Sequence, residues 1–304
     1  MLKKLGVLPA LLMTLGAANA QSMPAGFYMD GYVQGEYLIF SGNEEFVYGA
    51  DITLGYSGAD AGSMPIGFEL DLFLLETDGL SLDPVILGSV FYDSSFGRIS
   101  VGKPGAVSDD HIAEVHFGGS KRFASVPGYV LKSVTNIVIL DTGADYYEYG
   151  ARFDGHAGDI EYGLSYHAFQ GNRYSVSASG RYAFADYYTV ALGVEYYNLG
   201  SSSEYKYTGS FEADFGQFGA QLVVTNFSDE TYYAIGADYT PFDNVNLTLE
   251  YIDIEAIMSY TFAAAGVEYS FMDHGYVGVA ALFPSGGSDT VYNIYAGWKL
   301  NYGG

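Results

Sequence analysis

The sequence contains no cysteine, a single tryptophan and few basic residues, with 12 Lys and Arg against 36 Asp and Glu. Without cysteine there is neither a disulfide framework nor thiolate chemistry. The net charge of -24 excludes nucleic acid as a partner, because proteins bind phosphates through lysine and arginine. High net charge also favours solubility, so a solvated acidic surface is the simplest explanation of this balance.

Long apolar runs are also missing beyond the N-terminus. Residues 1–20 have the features of a signal peptide: Lys3 and Lys4 are basic, residues 5–15 are apolar, and residues 18–20 are small. Cleavage before Gln21 would remove both lysines and no acid, which moves the net charge from -24 to -26. No later run approaches the ~20 apolar residues of a membrane helix. We therefore expect an exported protein without membrane helices.

The residues that are abundant favour strands: the chain has 30 Tyr, 20 Phe and 40 Gly. Apolar and polar positions alternate with a period of two. In residues 187–197, one face carries Tyr188, Val190, Leu192, Val194 and Tyr196, and the other carries smaller or polar residues and the rings of Tyr187 and Tyr197. Such alternation is typical of strands whose two faces meet different media.

About sixteen such segments, each of roughly ten residues, follow one another through short turns, which is the pattern of bacterial outer-membrane barrels. We predict them at residues 26–40, 46–57, 66–76, 85–93, 98–103, 146–153, 159–169, 173–184, 187–197, 205–215, 216–226, 232–240, 244–254, 258–271, 275–283 and 292–302. The predicted fold is all-β: a 16-stranded antiparallel transmembrane β-barrel that forms a single domain over residues 21–304. A soluble β-sandwich also alternates, but its Greek-key crossovers are not seen here.

One long interruption divides the predicted strands, at residues 104–145. Loops beyond roughly 12 to 15 residues are uncommon in compact folds and usually carry function or are disordered. This one carries Phe117, Phe123, Leu131 and the apolar run 137–140, which need a surface to pack against. We predict that it folds back into the lumen of the barrel and narrows it.

Residues 96–103, F-G-R-I-S-V-G-K, form a tight turn into a short strand that ends in glycine and a base. This motif, within residues 88–103, resembles the stretch before the constriction loop in general porins of Gram-negative bacteria. The signal peptide, the strand count, the long loop after strand five and the aromatic-rich last strand are similar too, and the short loops and acidic balance look most like alphaproteobacterial porins.

The resemblance implies a trimeric, water-filled channel for ions and small hydrophilic solutes, inserted in the lipid of the bacterial outer membrane. It also implies that the long loop is bent into each pore. In this family the short side of the barrel packs at the trimer axis, which here would include the outward apolar residues of the segment 66–74. The same residues could instead face lipid.

Parity along the strands assigns charged residues to the lumen. The predicted pore wall comprises Asp30, Glu36, Asp51, Glu69, Asp71, Arg98, Arg152 and Arg181. The further inward set comprises Glu148, Glu161, Glu195, Glu212, Asp214, Asp238, Glu250, Glu268, Lys206 and Lys299. A corridor lined mainly by carboxylates concentrates cations and repels anions. The sequence therefore predicts cation selectivity.

The charges of the long loop fall into three groups and complete the predicted site. They are, in order, Asp109, Asp110 and Glu114, then Lys121, Arg122 and Lys132, then Asp141 and Asp145. One hypothesis is that the three bases face the acidic wall of Asp51, Glu69 and Asp71 and create a transverse field across the constriction. The alternative is that they tie the loop down through ion pairs with the wall, or lie on its outer face.

No cofactor is predicted. His111, Glu114 and His116 lie close together, but their spacing is not the H-E-x-x-H zinc pattern, so polar loop side chains are the simpler interpretation. Loop carboxylates such as Asp109 and Asp110 leave room for a bound calcium ion, because hard cations take oxygen ligands.

No enzymatic activity is predicted, although two other functions compete with a channel. An outer-membrane hydrolase could use Ser165, His167 and Glu161, which share one strand face. Residues two apart on a strand stand about 7 Å apart, which we expect to be too far for a direct hydrogen bond. An adhesive barrel would depend on long surface loops, whereas every predicted connection except residues 104–145 is short.

Overall fold

The chain folds into one closed antiparallel β-barrel. The structure, a computed structural model, describes residues 23–77, 84–121, 131, 133, 135, 138, 146–200, 202–254, 261–272, 274–285 and 289–303, without the side chain of Phe117. Within these ranges sixteen strands follow one another around the barrel, each paired with the next, and the last strand pairs with the first. The closing pair runs from Tyr28 opposite Gly303 to Ile39 opposite Tyr292.

The strands match the predicted segments closely. They are β1 (Phe27–Phe40), β2 (Asn43–Ser57), β3 (Ile66–Thr77), β4 (Val85–Ser94), β5 (Gly97–Gly102), β6 (Tyr147–Ala157), β7 (Ile160–Phe169), β8 (Arg173–Phe184), β9 (Tyr188–Asn198), β10 (Ser203–Asp214), β11 (Phe218–Phe227), β12 (Glu230–Phe242), β13 (Val245–Asp253), β14 (Thr261–Phe271), β15 (Gly275–Pro284) and β16 (Val291–Gly303). The prediction of a 16-stranded barrel is confirmed, and the sandwich alternative is wrong. Residues 1–20 lie outside the described residues.

Two hairpins use two-residue turns in which both residues have positive φ. In the β1–β2 turn, Ser41 and Gly42 have φ of 46° and 74°; in the β11–β12 turn, Ser228 and Asp229 have 52° and 62°. This is the type I′ geometry, whose twist matches the twist of the flanking strands. A turn of two residues is too short to reach any strand but the neighbouring one, so consecutive strands pair in the order of the chain.

The two faces of each strand differ in exposure as the alternation predicted. Outward side chains such as Leu192, Leu249 and Ile86 are 68%, 64% and 59% exposed. Inward positions on the same strands are polar or are covered by other inward groups, as with Ala191 and Glu250. An apolar outer surface with a polar interior is the arrangement of a transmembrane barrel.

The connection after β5 begins with two short helical elements. One is helix α1 (Val107–His111), and the other is the 3-10 turn Phe117–Gly119. Within the described ranges, no helix has the length and apolar character needed to cross a membrane.

Two positions on opposite faces of β13 allow the assignment of inward and outward faces to be tested. In a Trp298→Phe background, which removes the only tryptophan, we expect Leu249→Trp to be strongly quenched by lipids brominated on their acyl chains. Asn246→Trp, three residues away on the inward face, should be quenched by aqueous acrylamide and spared by those lipids. Equal lipid quenching of the two variants in reconstituted vesicles would contradict the assignment of faces.

Candidate functional site

The segment after β5 enters the barrel and packs on the inner faces of β6 to β9. Tyr147 donates a hydrogen bond of 3.0 Å to the carbonyl of Pro104. The backbone N–H of Val107 donates to Ser165 Oγ on β7 at 3.3 Å. Both partners lie on inward faces, so residues 104–107 lie in the lumen.

A buried polar chain lies beneath this entry point. Tyr147 OH and His167 Nδ1 are 2.8 Å apart, His167 Nε2 and Ser165 Oγ are 2.9 Å apart, and Ser165 Oγ and Ser177 Oγ are 2.6 Å apart. Because the hydroxyl of Tyr147 donates its hydrogen to the Pro104 carbonyl, its oxygen accepts a hydrogen bond from Nδ1–H of His167. Nε2 then accepts from Ser165, which in turn accepts from Ser177. The geometry therefore assigns one neutral tautomer to His167.

The direct contact of Ser165 and His167 corrects an expectation from the sequence. The spacing of about 7 Å separates positions along the strand backbone, and the imidazole ring is long enough to bridge it. The pair is nevertheless closed to substrates, since Ser165 is 3% exposed and His167 is fully buried. Its hydrogen bonds serve the inserted segment, so this arrangement does not support a hydrolase.

From α1 the segment continues around the wall, and inward side chains of β8, β10 and β13 hold it by hydrogen bonds. His111 Nδ1 lies 2.7 Å from Ser179 Oγ on β8, and the N–H of Ala113 donates to Ser210 Oγ on β10 at 3.1 Å. On β13, the Glu250 carboxylate accepts from two backbone N–H groups, those of His116 and Gly118, both at 2.8 Å.

The next anchor lies on β1, where Gln34 and Glu36 hold residues 119–121. Gln34 Nε2 donates to the carbonyl of Gly119 at 2.7 Å. Glu36 accepts from Ser120 Oγ at 2.8 Å and from the backbone N–H of Lys121. Gln34 is itself oriented, because its Oε1 accepts from Tyr276 OH at 2.8 Å and its Nε2 donates to Glu36 at 3.0 Å. We call Gln34 and Glu36 the β1 clamp.

Leu131 and Thr135, which follow later in the chain, pack against inward side chains of β9, β10 and β11. The carbonyl of Leu131 accepts from Lys206 Nζ at 3.2 Å and from Thr225 Oγ1 at 2.8 Å. Glu195 accepts from Thr135 through both its backbone N–H, at 2.9 Å, and its hydroxyl, at 2.6 Å. Inward Glu195 and Lys206 are thus buried anchors and not free lumen charges.

An open corridor of about 880 Å³ lies beside β13 to β16 and β1 to β4. Its lining includes eight carboxylates and three bases. The carboxylates are Asp30, Asp51, Glu69, Asp71 and Glu268 on the wall and Asp109, Asp110 and Glu114 on the inserted segment; the bases are Lys121, Arg152 and Lys299. Carboxylates therefore line both sides of the corridor.

Two of the three bases are ion-paired with lumen carboxylates. Arg152 pairs with Asp110 of the segment and with Asp154 at 2.7 Å, and Lys299 Nζ lies 3.1 Å from Glu268. The ammonium of Lys121 instead lies over the ring of Tyr32. These pairings leave the carboxylates in excess along the corridor.

The predicted wall residues therefore divide into two groups. Asp30, Asp51, Glu69, Asp71 and Arg152 line the corridor. Glu36 lies beneath the segment in the β1 clamp. Arg98 pairs with Asp93 at 2.7 Å and covers the ring of Phe91, and Arg181 lies 4.0 Å from Glu212.

The predicted loop residues divide similarly. Asp109, Asp110, Glu114 and Lys121 line the corridor, whereas Arg122, Lys132, Asp141 and Asp145 lie outside the described residues. Across the described ranges, no group of three or more His, Cys, Asp or Glu side chains is arranged to hold a metal ion. Calcium at Asp109 and Asp110 stays a prediction.

Sequence reasoning missed the anchors. Ser165, Ser179 and Ser210 were inward by parity, but short hydroxyls give no signal that a backbone N–H will meet them. Gln34 was passed over because it is uncharged. The available signal was the run of small polar residues on the inward faces of β7, β8 and β10, which leaves room for a packed segment.

The comparisons with known proteins concern the fold. No protein-family model matches the chain, and no curated protein sequence matches it. A loop-deletion mutant of OmpT, an outer membrane protein of Vibrio cholerae, superposes with a TM-score of 0.62 at 14% identity, over 91% of this chain and 100% of that one. A mutant of Rhodopseudomonas blastica porin superposes with a TM-score of 0.61 at 13% identity, over 90% and 100%. The fold is that of a general porin.

The two-pronged acceptance by Glu250 can be tested by amide exchange. Hydrogen bonds to a charged group are worth about 1.5–3 kcal/mol each, so Glu250→Gln should raise exchange of the amides of His116 and Gly118 about tenfold or more. Asp238→Asn, which neutralises a half-buried inward carboxylate on β12, is the matched control. If the two variants exchange alike at these amides, Glu250 does not hold the segment.

His111 should make the packing of α1 sensitive to acid. Burial lowers the pKa of His111 below 6.5, and nearby Arg152 lowers it further, while Asp110, Asp154 and Glu161 oppose the shift. When the segment opens, His111 binds a proton that it does not bind when the segment is packed. The stability of the packed segment therefore falls as pH drops below about 6.5. Protection of the amides of residues 107–113 should decrease between pH 7.5 and pH 5.

The matched variants for this pH dependence are His111→Gln and His156→Gln, the latter an exposed histidine on β6. The first should flatten the acid dependence of protection, and the second should leave it unchanged. Protection that falls equally with acid in the His111→Gln variant would contradict the assignment to His111.

Proposed function

We propose that this protein is an outer-membrane channel through which ions and small hydrophilic solutes diffuse, with a preference for cations. The observation that carries the proposal is the corridor, whose lining holds eight carboxylates and three bases inside a porin-type barrel. The polar interior and apolar exterior support a water-filled path across a membrane. The buried state of Ser165 and His167 favours a channel over an enzyme.

The cation preference follows from the electrostatics of the corridor. Low-dielectric walls focus the field of the lining charges, so excess carboxylates raise the local concentration of cations. Arg152 and Lys299 contribute little opposing field, because each lies in an ion pair with a carboxylate of the same lining. Selectivity is set chiefly by Asp30, Asp51, Glu69 and Asp71 on the wall.

The segment 104–145 acts as the constriction in this proposal. Its described part crosses from Ser165 on β7 to the β1 clamp and leaves the open space beside β13 to β16 and β1 to β4. Carboxylates of the segment face those of the wall, so the field of Lys121 acts within a corridor that is acidic on both sides. This arrangement favours cation selectivity over a simple transverse field.

Three further proposals concern the mature protein. Residues 1–20 are removed on export to the outer membrane, and the barrel assembles as a homotrimer, as the likeness to alphaproteobacterial porins implies. The trimer contact lies on the outward face of β3, where Ile66 and Leu70 are 46% and 44% exposed. Exposed aliphatic side chains of this kind suit packing against a neighbouring subunit as well as against lipid.

Reversal potentials in a planar bilayer test the selectivity. Across a KCl gradient at about 0.1 M we expect a strong preference for K⁺, and the preference should weaken toward 1 M as the Debye length falls from about 10 Å to about 3 Å. The double variant Asp51→Asn, Asp71→Asn should lower the K⁺ to Cl⁻ permeability ratio at low salt.

Glu161→Gln serves as the control for this measurement, because Glu161 is inward on β7 but lies outside the corridor lining. It should leave the permeability ratio unchanged. Anion preference at low salt, or a bilayer that stays closed, would overturn the proposed function.

A further inference from the structure

The ammonium of Lys121 occupies an aromatic face inside the corridor. Its Nζ lies 3.9 Å from the centroid of the Tyr32 ring, and both residues line the open space. A cation within about 6 Å of an aromatic face is attracted by the ring quadrupole, and more strongly when the pair is desolvated. Lys121 thus shows that an alkylammonium fits this position.

The backbone of Lys121 is fixed by hydrogen bonds, whereas its ammonium is held by the ring of Tyr32 and by the electrostatic attraction of Glu36. The β1 clamp holds the backbone through Gly119, Ser120 and the N–H of Lys121 itself. The stem rests on Gly49 of β2, where an added Cβ would lie 3.4 Å from the Cβ of Lys121. Beyond that contact, rotation of the methylene chain is enough to carry the ammonium away from the ring.

Carboxylates stand next to the same ring. Asp51 is directly opposite Tyr32 in the β1–β2 register, and Asp30 is the adjacent inward residue on β1. Both line the corridor with Tyr32. An aromatic face beside a carboxylate supplies the two interactions that bind an organic ammonium: cation–π attraction and a charge-assisted hydrogen bond.

We propose that Tyr32 and Asp51 form a binding subsite for compact organic cations that carry a primary ammonium group, such as short diamines. Lys121 occupies this subsite as a tethered competitor until such a solute displaces it. The inference rests on the proposed channel function and adds a solute class to it.

The ring distinguishes organic ammonium groups from small inorganic cations of equal charge. Mg²⁺ dehydrates reluctantly and keeps several waters, so it gains from the carboxylates but little from the face of Tyr32. A primary ammonium on an alkyl chain places both its charge and its methylenes against the ring, as Lys121 does.

The test is block of K⁺ current by 1,4-diaminobutane, with Mg²⁺ as the inorganic probe of the same charge. Lys121→Met removes the competitor and keeps an apolar stem, and we expect the half-blocking concentration of the diamine to fall about tenfold. Lys299→Met is the matched control. It removes one positive charge from the same corridor, from a lysine that is paired with Glu268, and should change block by the diamine much less.

Adding Tyr32→Leu to the Lys121→Met variant should raise the half-blocking concentration of the diamine again by about three- to tenfold, which lies within the roughly two- to thirtyfold effect of a cation–π contact. For Mg²⁺, the Tyr32→Leu change should have little effect. If Lys121→Met and Lys299→Met enhance diamine block equally, or if Tyr32→Leu leaves diamine block unchanged, the subsite does not exist.

Failure of the subsite and failure of the channel are distinguishable. Barrels that conduct K⁺ but show no Tyr32-dependent block overturn only the subsite. Barrels that conduct no K⁺ overturn the proposed function. In that case calorimetric titration of 1,4-diaminobutane into the same refolded variants decides the subsite, with tighter binding to Lys121→Met and its loss on adding Tyr32→Leu as the expected order.

Discussion

The inserted segment depends on the barrel wall for its backbone hydrogen bonds. Its helical elements are too short to satisfy their own N–H groups, and an unsatisfied buried N–H costs about 1–3 kcal/mol. Inward carboxylates and hydroxyls replace the missing partners: Glu250 for residues 116 and 118, Glu36 for Lys121, and serines for Val107 and Ala113. Much of the polar interior thus has a structural role before any solute enters.

This division of labour explains why the corridor lies to one side. Glu195 on β9 and Glu250 on β13 accept hydrogen bonds from the inserted segment, which covers the inner wall where they hold it. Asp30 on β1, Asp51 on β2, and Glu69 and Asp71 on β3 face the open space. The same residue type therefore anchors the inserted segment on one side of the barrel and lines the corridor on the other.

The sequence predicted the barrel well because side-chain direction in a strand has a period of two. Asp51, Glu69 and Asp71, which parity assigns to the lumen, line the corridor. It cannot foresee a bulge: the β6–β7 register shifts between Tyr147 and Tyr149 and leaves Glu148 unpaired with β7 and exposed. Parity also gives neither the position of a residue along the barrel axis nor whether the inserted segment covers it. Arg98, Arg181 and Glu36 were therefore assigned to the pore wall, although they lie outside the corridor lining.

The chain of hydroxyls around His167 has a fixed polarity. Reversing it would turn the Tyr147 hydrogen toward the imidazole and leave the Pro104 carbonyl without that donor, so the two directions differ in free energy. A histidine that alternates between tautomers can relay protons, and one held in a single tautomer cannot. The polar chain that seats the segment is thereby a poor proton wire and acts as a fixed set of donors and acceptors for residues 104–107.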